Sequence, residues 1–89
     1  MAICKRVYYS GRVQGVGFRY TTASLAGGYR VAGYVRNLPN GDVELVAEGE
    51  PDQVEAFLAA VAERMAPYIE QTRVEDEEPS GQRGFRIRH

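Results

Sequence analysis

Arg19 is the side chain of this 89-residue sequence best suited to bind an anion. It ends the segment GRVQGVGFR, residues 11–19, which holds three glycines and lies between a strand-like run and a helix-like run. A helix N-terminus carries N–H groups with a partial positive charge, and glycines before it let the backbone curl so that several N–H groups point at one anion. The planar guanidinium of Arg19 suits the oxygens of a phosphate. The segment therefore predicts a site for phosphate or a similar oxyanion.

The glycine spacing matches neither of the common nucleotide-binding loops. Position 20 holds Tyr20 where the dinucleotide fingerprint needs a third glycine, and the Gly-Lys-Ser/Thr ending of a nucleotide P-loop is missing. On spacing alone, the alternative interpretation is a plain turn from strand to helix without a ligand.

Asn37 is the second candidate, because it ends a strand-like run just before a predicted hairpin. In a split βαβ sheet, the end of this strand and the start of the first helix can come together. The Asn37 amide could then hold a water molecule beside a phosphorus atom, although a neutral amide is too weak a base to take the proton of that water. The alternative is that Asn37 serves only its own turn, as asparagine often does.

The elements that must position these two side chains follow the order strand, helix, strand, strand, helix, strand, with a last strand added. They are strands over residues 5–10, 31–37 and 42–48, helices beginning at Phe18 and near Pro51, and closing strands in 71–78 and 84–89 around the turn PSGQRG. Two helices on one face of an antiparallel sheet predict an α+β sandwich of the ferredoxin-like, split βαβ kind, βαββαβ plus a short extra strand. We expect a single domain over residues 1–89.

The segment LPNG between the second and third predicted strands is the clearest turn signal. Its last two residues, Asn40-Gly41, favour the positive φ angles that a tight hairpin demands. The sequence therefore predicts an antiparallel hairpin that begins directly after Asn37.

Composition limits the class of partner. The hydrophobic share of 44% and the charged share of 26% fit a soluble globular domain, and a net charge of −1 removes the electrostatic footprint of a general nucleic-acid binder. Residues 1–40 contain no Asp or Glu, so an anionic ligand would meet the N-terminal half. Cys4 is the only cysteine, and no signal peptide or apolar run of membrane-spanning length is found. We expect a cytoplasmic protein without a membrane partner or a metal site.

Two segments carry a resemblance to a known family. The segments VQGVGFR (Val13 to Arg19) and GYVRNLPNGDVELVAEG (Gly33 to Gly49) resemble the two signature segments of the acylphosphatase family. The order of predicted elements also resembles that fold from end to end. The resemblance implies a hydrolase that cleaves the carboxyl-phosphate anhydride of small acyl phosphates to a carboxylate and inorganic phosphate, with no metal or organic cofactor.

The resemblance also implies roles for individual residues. Arg19 would bind the phosphoryl group together with the backbone N–H groups of the loop, and Asn37 would orient the attacking water. The loop residues concerned are Gln14, Gly15, Val16, Gly17 and Phe18. Because no side-chain base is at hand, an oxygen of the substrate's own phosphate would accept the proton.

The sequence departs from the family pattern at the end of the first helix and at the chain end. Gly27 and Gly28 replace longer helix formers, Arg30 stands where a helix-ending glycine is usual, and His89 stands where tyrosine is more usual. Tyr34 also takes a place often held by tryptophan. These departures concern packing and stability more than chemistry, and His89 is not expected to be catalytic because chain ends fray.

Two other functions compete with hydrolysis. A non-catalytic module of the same fold would hold an anion without turning it over, but Arg19 and Asn37 are both intact. RNA binding on the open sheet face would need aromatic residues on adjacent central strands, and VELVAEG in the third strand offers none. We therefore expect a monomer whose partners are a small acyl phosphate and its phosphate product, not nucleic acid.

Overall fold

The computed structural model describes residues 1–89. It consists of a five-stranded sheet with two helices on one face. The elements are β1 (Ile3–Gly11), α1 (Phe18–Ala26), β2 (Val31–Asn37), β3 (Val43–Gly49), α2 (Pro51–Met65), β4 (Ile69–Glu77) and β5 (Phe85–Arg88), with a short 3-10 turn (Ala66–Tyr68) before β4. The strand order is β4-β1-β3-β2-β5. All pairs are antiparallel except β2 and β5, which run parallel. The predicted ferredoxin-like class, βαββαβ plus an extra strand, is confirmed.

Both helices follow from the spacing of their apolar residues. Helix α1 buries Phe18, Thr22 and Ala26 at intervals of four and ends at two glycines. Helix α2 begins with Pro51, which lacks the N–H that a first turn leaves unpaired, and it buries one stripe against the sheet. That stripe consists of Val54, Phe57, Val61 and Met65. Neither helix is long and apolar enough to cross a membrane.

The β2–β3 hairpin is present, but its turn differs from the predicted one. Gly41 has a φ of +97°, whereas Asn40 does not have a positive φ. The Gly41 N–H donates to the Leu38 carbonyl at 3.1 Å, and the Leu38 N–H donates to the Asp42 carbonyl at 2.8 Å. Pro39 explains the difference, since its fixed φ near −65° suits the first central position of a type I turn. Gly41 then closes a three-residue loop in the left-handed conformation.

The two closing strands lie at opposite edges of the sheet, so the predicted turn PSGQRG belongs to a segment that crosses from one edge to the other. The Glu48 carboxylate anchors this crossing segment by accepting the N–H groups of Ser80 at 2.8 Å and Gly81 at 2.9 Å. The acidic residues of β4 lie on an exposed edge strand of the sheet.

Successive strand residues point to opposite faces, and the two faces differ in chemistry. The face under the helices forms the main core, with Val7, Val35 and Leu45 at its centre. The other face carries a buried carboxylate, Glu44, which is 3% exposed. Its oxygens accept hydrogen bonds from Arg6 Nη1 at 2.7 Å and Arg36 Nε at 2.6 Å. Burial alone would raise the pKa of Glu44, but the bonds from Arg36 and Arg6 outweigh burial and hold it below its usual value.

Replacing Glu44 with glutamine is expected to weaken the dependence of the free energy of unfolding on pH below neutrality. Because the Glu44 pKa is lowered by folding, its ion pairs stabilise the fold above the ordinary Glu pKa of about 4.3. This contribution is lost as pH falls through the lower folded pKa. The E44Q variant lacks this titration and should be less stable near pH 7 by about 1–3 kcal/mol.

Urea unfolding of both proteins between pH 7 and pH 3 measures the effect. Glu63, an exposed glutamate on α2 without an ion pair, supplies the control variant Glu63→Gln. Equal pH dependence in wild type and E44Q would show that the Glu44 network does not link folding to protonation.

Candidate active site

A cavity of about 300 Å³ opens where the β1–α1 loop meets the ends of β2 and β5. Its wall contains both side chains that the sequence singled out, Arg19 and Asn37. The other lining residues are Val13, Gly15, Gly17, Phe18, Tyr20, Ile87 and His89. No Asp or Glu side chain lines this cavity, and Arg19 does, so the charge of the lining side chains favours an anion.

The β1–α1 loop presents backbone donors to this cavity. Gly15 and Gly17 adopt left-handed φ values of +79° and +78°, and a Cβ on either would meet no atom within 4 Å. The N–H groups of residues 14–20 have no acceptor within the protein, and the first helical bond runs from the Thr21 N–H to the Gly17 carbonyl at 2.9 Å. Free N–H groups in a left-handed loop that leads into a helix N-terminus form an anion-binding arrangement.

Arg19 is the second residue of α1, and its guanidinium is not neutralised by the protein. It forms no ion pair with any Asp or Glu. Its one side-chain contact of hydrogen-bond length joins Nη1 to Nδ1 of His89 at 3.3 Å. A neutral imidazole nitrogen can accept from a guanidinium. The positive charge of Arg19 is thus held beside the loop and remains available to an anion.

Asn37 is the last residue of β2, opposite Val43 in the register of the hairpin. Its side chain makes no hydrogen bond within the protein, whereas Asn40 accepts the Asp42 N–H at 3.0 Å. The turn is therefore satisfied by Asn40, and the alternative in which Asn37 serves its own turn has no contact to support it. The Asn37 amide is left facing the same cavity as Arg19.

Gln14 connects the two halves of the site in a way that sequence reasoning missed. Its Nε2 donates to the carbonyls of Leu38 and Asp42, each at 2.8 Å. These bonds tie the β1–α1 loop to the hairpin that carries Asn37. Neither Gln14 nor Val16 lines the cavity: the Gln14 side chain holds the loop on the hairpin, and Val16 packs against the core.

His89 lines the cavity, although the sequence analysis gave it no role in the site. Its position follows from the parallel pairing of β2 and β5, in which Arg36 is opposite Arg88. His89 therefore follows Arg88 at the same end of the sheet at which Asn37 follows Arg36. An antiparallel β5 would carry His89 to the other end, and the short strand FRIR gives no signal of its direction.

The fold and site together define a class of protein. It is a ferredoxin-like α+β sandwich with a glycine-containing loop of the anion-binding type and an arginine that forms no ion pair. Comparison with known proteins narrows this class, because the family model described as Acylphosphatase matches residues 5–87. The chain belongs to the acylphosphatase family. The predicted family and its enzyme class, an acyl phosphate hydrolase, are confirmed by this match.

Individual relatives agree with the family match. The chain is 47% identical over 83 residues to an acylphosphatase of Trichormus variabilis, covering 92% of this chain and 82% of the relative. It is 50% identical over 84 residues to an acylphosphatase of Thermococcus kodakarensis, covering 92% and 89% respectively. The crystal structure of acylphosphatase from Bacillus subtilis matches with a TM-score of 0.88 at 32% identity, covering 100% of both chains.

Proposed function

We propose that this chain hydrolyses small acyl phosphates with Arg19 and the loop N–H groups as the phosphoryl-binding groups and Asn37 as the water-positioning group. The observation that carries the proposal is the shared cavity, in which an unneutralised Arg19 and an unbonded Asn37 amide face one space. The N–H groups are those of Gln14, Gly15, Val16, Gly17 and Phe18.

The proposed reaction needs positioning and charge stabilisation more than covalent chemistry. The water oxygen attacks phosphorus, the bond from phosphorus to the acyl oxygen breaks, and the carboxylate leaves with the electron pair. One proton of the water passes to a non-bridging oxygen of the same phosphate. Arg19 and the N–H groups stabilise the charge on the phosphoryl oxygens, and the Asn37 carbonyl oxygen accepts from the water and fixes its approach.

A comparison of two substrate classes tests this mechanism. We expect turnover of benzoyl phosphate in the presence of excess chelator, at the rate seen without it, and no turnover of an alkyl phosphate monoester such as glycerol phosphate. The physical reason is that the carboxylate of an anhydride leaves without a proton donor, whereas an alkoxide needs one, and the proposed mechanism assigns that role to no side chain. No group of three or more His, Cys, Asp or Glu side chains is arranged to hold a metal ion.

Three outcomes would contradict the proposal. Loss of activity with chelator would show a metal-dependent reaction, and comparable turnover of the monoester would show a general phosphatase. Phosphate binding without turnover of either substrate would identify the non-catalytic module considered above.

We further infer that the chain acts as a cytoplasmic monomer, as one domain over residues 1–89. The open sheet face supports the absence of a nucleic-acid partner, because its aromatic rings are already covered. The guanidinium of Arg73 lies 4.5 Å from the Tyr8 ring centre, and that of Arg88 lies 4.5 Å from the Tyr34 ring centre. Neither ring is free to stack on a base.

A further inference from the structure

We propose that Tyr20, Ile87 and His89 form a subsite for the acyl group, and that this subsite selects acyl phosphates with a planar, uncharged aryl group. The inference deepens the function proposed above and rests on it, since it assumes that the phosphoryl group lies against Arg19 and the loop. It begins with the size of the cavity and the chemistry of its lining residues.

The cavity is larger than a phosphoryl group requires. A water molecule takes about 30 Å³ of liquid volume, so on that scale a phosphate of five heavy atoms needs at most about 150 Å³. The cavity of about 300 Å³ leaves comparable room for a second group. A small acyl group bonded to the phosphate would occupy that room.

The chemistry of the lining residues indicates where the acyl group lies. The polar side chains of the lining are Arg19, Asn37 and His89, and its apolar or aromatic side chains are Val13, Phe18, Tyr20 and Ile87. Ile87 packs against the core from β5 and brings its side chain to the cavity from the sheet side. His89 contacts Arg19 at 3.3 Å, which places the end of β5 directly beside the phosphoryl-binding group. The subsite therefore adjoins the proposed reaction centre.

Tyr20 is the residue that points to an aromatic guest. It is 79% exposed, although it lines the cavity and follows Arg19 on the first turn of α1. Its ring takes part in no aromatic pair, cation–π contact or hydrogen bond within the protein. A large ring that the fold does not use, at the mouth of an anion-binding cavity, has an open face on which a planar group can stack.

No Asp or Glu side chain lines the cavity, which separates this subsite from one built for a cationic acyl group. A second negative charge on the acyl group would instead compete with the phosphoryl group for Arg19, because Arg19 is the only Lys or Arg in the lining. An uncharged aryl group needs no carboxylate partner and does not compete for Arg19. Stacking on Tyr20 adds to its affinity.

The test compares two substrates that differ only in the acyl group. Wild type should have a higher kcat/KM for benzoyl phosphate than for acetyl phosphate. The Tyr20→Ala variant should lose about tenfold in kcat/KM for benzoyl phosphate, mainly through KM, and stay within about twofold for acetyl phosphate because a methyl group gains little from stacking. Tyr20→Phe should keep the preference. Because Tyr20 is exposed, its replacement should leave the fold intact.

Tyr68 is an exposed tyrosine outside the cavity and supplies the matched control Tyr68→Ala, which should change the kinetics with neither substrate. Equal losses on both substrates in Tyr20→Ala would overturn the subsite, because they would place Tyr20 at the phosphoryl group or in the fold. Unchanged kinetics on both would overturn it as well.

A binding measurement separates this inference from the proposed hydrolysis. Non-hydrolysable methylene phosphonates with a phenyl ketone or a methyl ketone group can be titrated calorimetrically into wild type and Tyr20→Ala. Tighter binding of the phenyl compound to wild type, lost in the variant, would support the subsite even in a protein that turned over no acyl phosphate. Equal affinity for the two compounds would refute the subsite even in an active hydrolase.

Discussion

Arg19→Ala is expected to lower kcat by at least about 10²–10³-fold and to weaken binding of inorganic phosphate at the same time, by analogy with the loss of an oxyanion-hole donor. Arg19 forms no ion pair within the protein, so its whole charge is available to the phosphoryl group. Because the guanidinium would contact those oxygens both in the bound substrate and in the transition state, its removal should affect both affinity and rate. Steady-state kinetics with benzoyl phosphate and the inhibition constant of phosphate measure the two effects.

Two further variants sharpen this test. Arg19→Lys keeps the charge but loses the planar pair of donors, and we expect an activity between those of wild type and Arg19→Ala. Arg64 is an exposed arginine in the last turn of α2, outside the cavity, so Arg64→Ala should behave as wild type. An Arg19→Ala protein with near-normal kcat and an unchanged phosphate inhibition constant would remove Arg19 from the mechanism.

Asn37→Ala should produce a comparable loss of kcat, about 10²–10³-fold, but with little change in phosphate affinity. The amide is proposed to hold water, and it makes no other hydrogen bond, so its removal should affect the attacking group while the phosphoryl-binding loop stays intact. The measurement is kcat for benzoyl phosphate together with the phosphate inhibition constant. The two variants thus differ in phosphate affinity: Arg19→Ala should lower both kcat and phosphate affinity, whereas Asn37→Ala should lower kcat alone.

Asn40 supplies the matched control for Asn37. Its side chain caps the hairpin turn by accepting the Asp42 N–H at 3.0 Å and does not line the cavity. Asn40→Ala should therefore lower the melting temperature modestly and leave kcat close to that of wild type. Full turnover by Asn37→Ala would show that another group positions the water.

Much of the architecture could be predicted because local patterns and tertiary packing agree. The stripe of Val54, Phe57 and Val61 lies at helical spacing in the sequence and faces the core in the structure. The alternation in β3 likewise separates Leu45, in the core, from Glu44, on the other face. In α2 the period of the apolar residues was enough, because the helix has one buried side that the period reveals. In β3 both faces are buried, and the strict alternation of strand side chains is what separates Leu45 from Glu44.

The features that could not be predicted depend on pairing between distant segments. The direction of β5 decides whether His89 lies beside Asn37, and a four-residue strand carries no information about the direction of its neighbour. The predicted positive φ of Asn40 was wrong for a local reason, because the preceding proline favours a type I turn over the turn that Asn-Gly usually forms.

The candidate site shows the same division. The positions of Arg19 and Asn37 followed from motif and topology together, and both reach one cavity. The side-chain role of Gln14 did not follow, because its acceptors, the carbonyls of Leu38 and Asp42, belong to a loop that is 24 and 28 residues away along the chain. A glutamine in a glycine-rich segment gives no indication of so distant a partner.

The free N–H groups of the β1–α1 loop have a thermodynamic consequence beyond catalysis. A folded chain that keeps a row of unpaired donors gains hydrogen bonds when an oxyanion binds, and the unfolded chain has no such arrangement to offer. Under the proposed function, the reaction product would then shift the folding equilibrium toward the native state by mass action. The folded fraction of this small domain would then rise with the phosphate concentration of its surroundings.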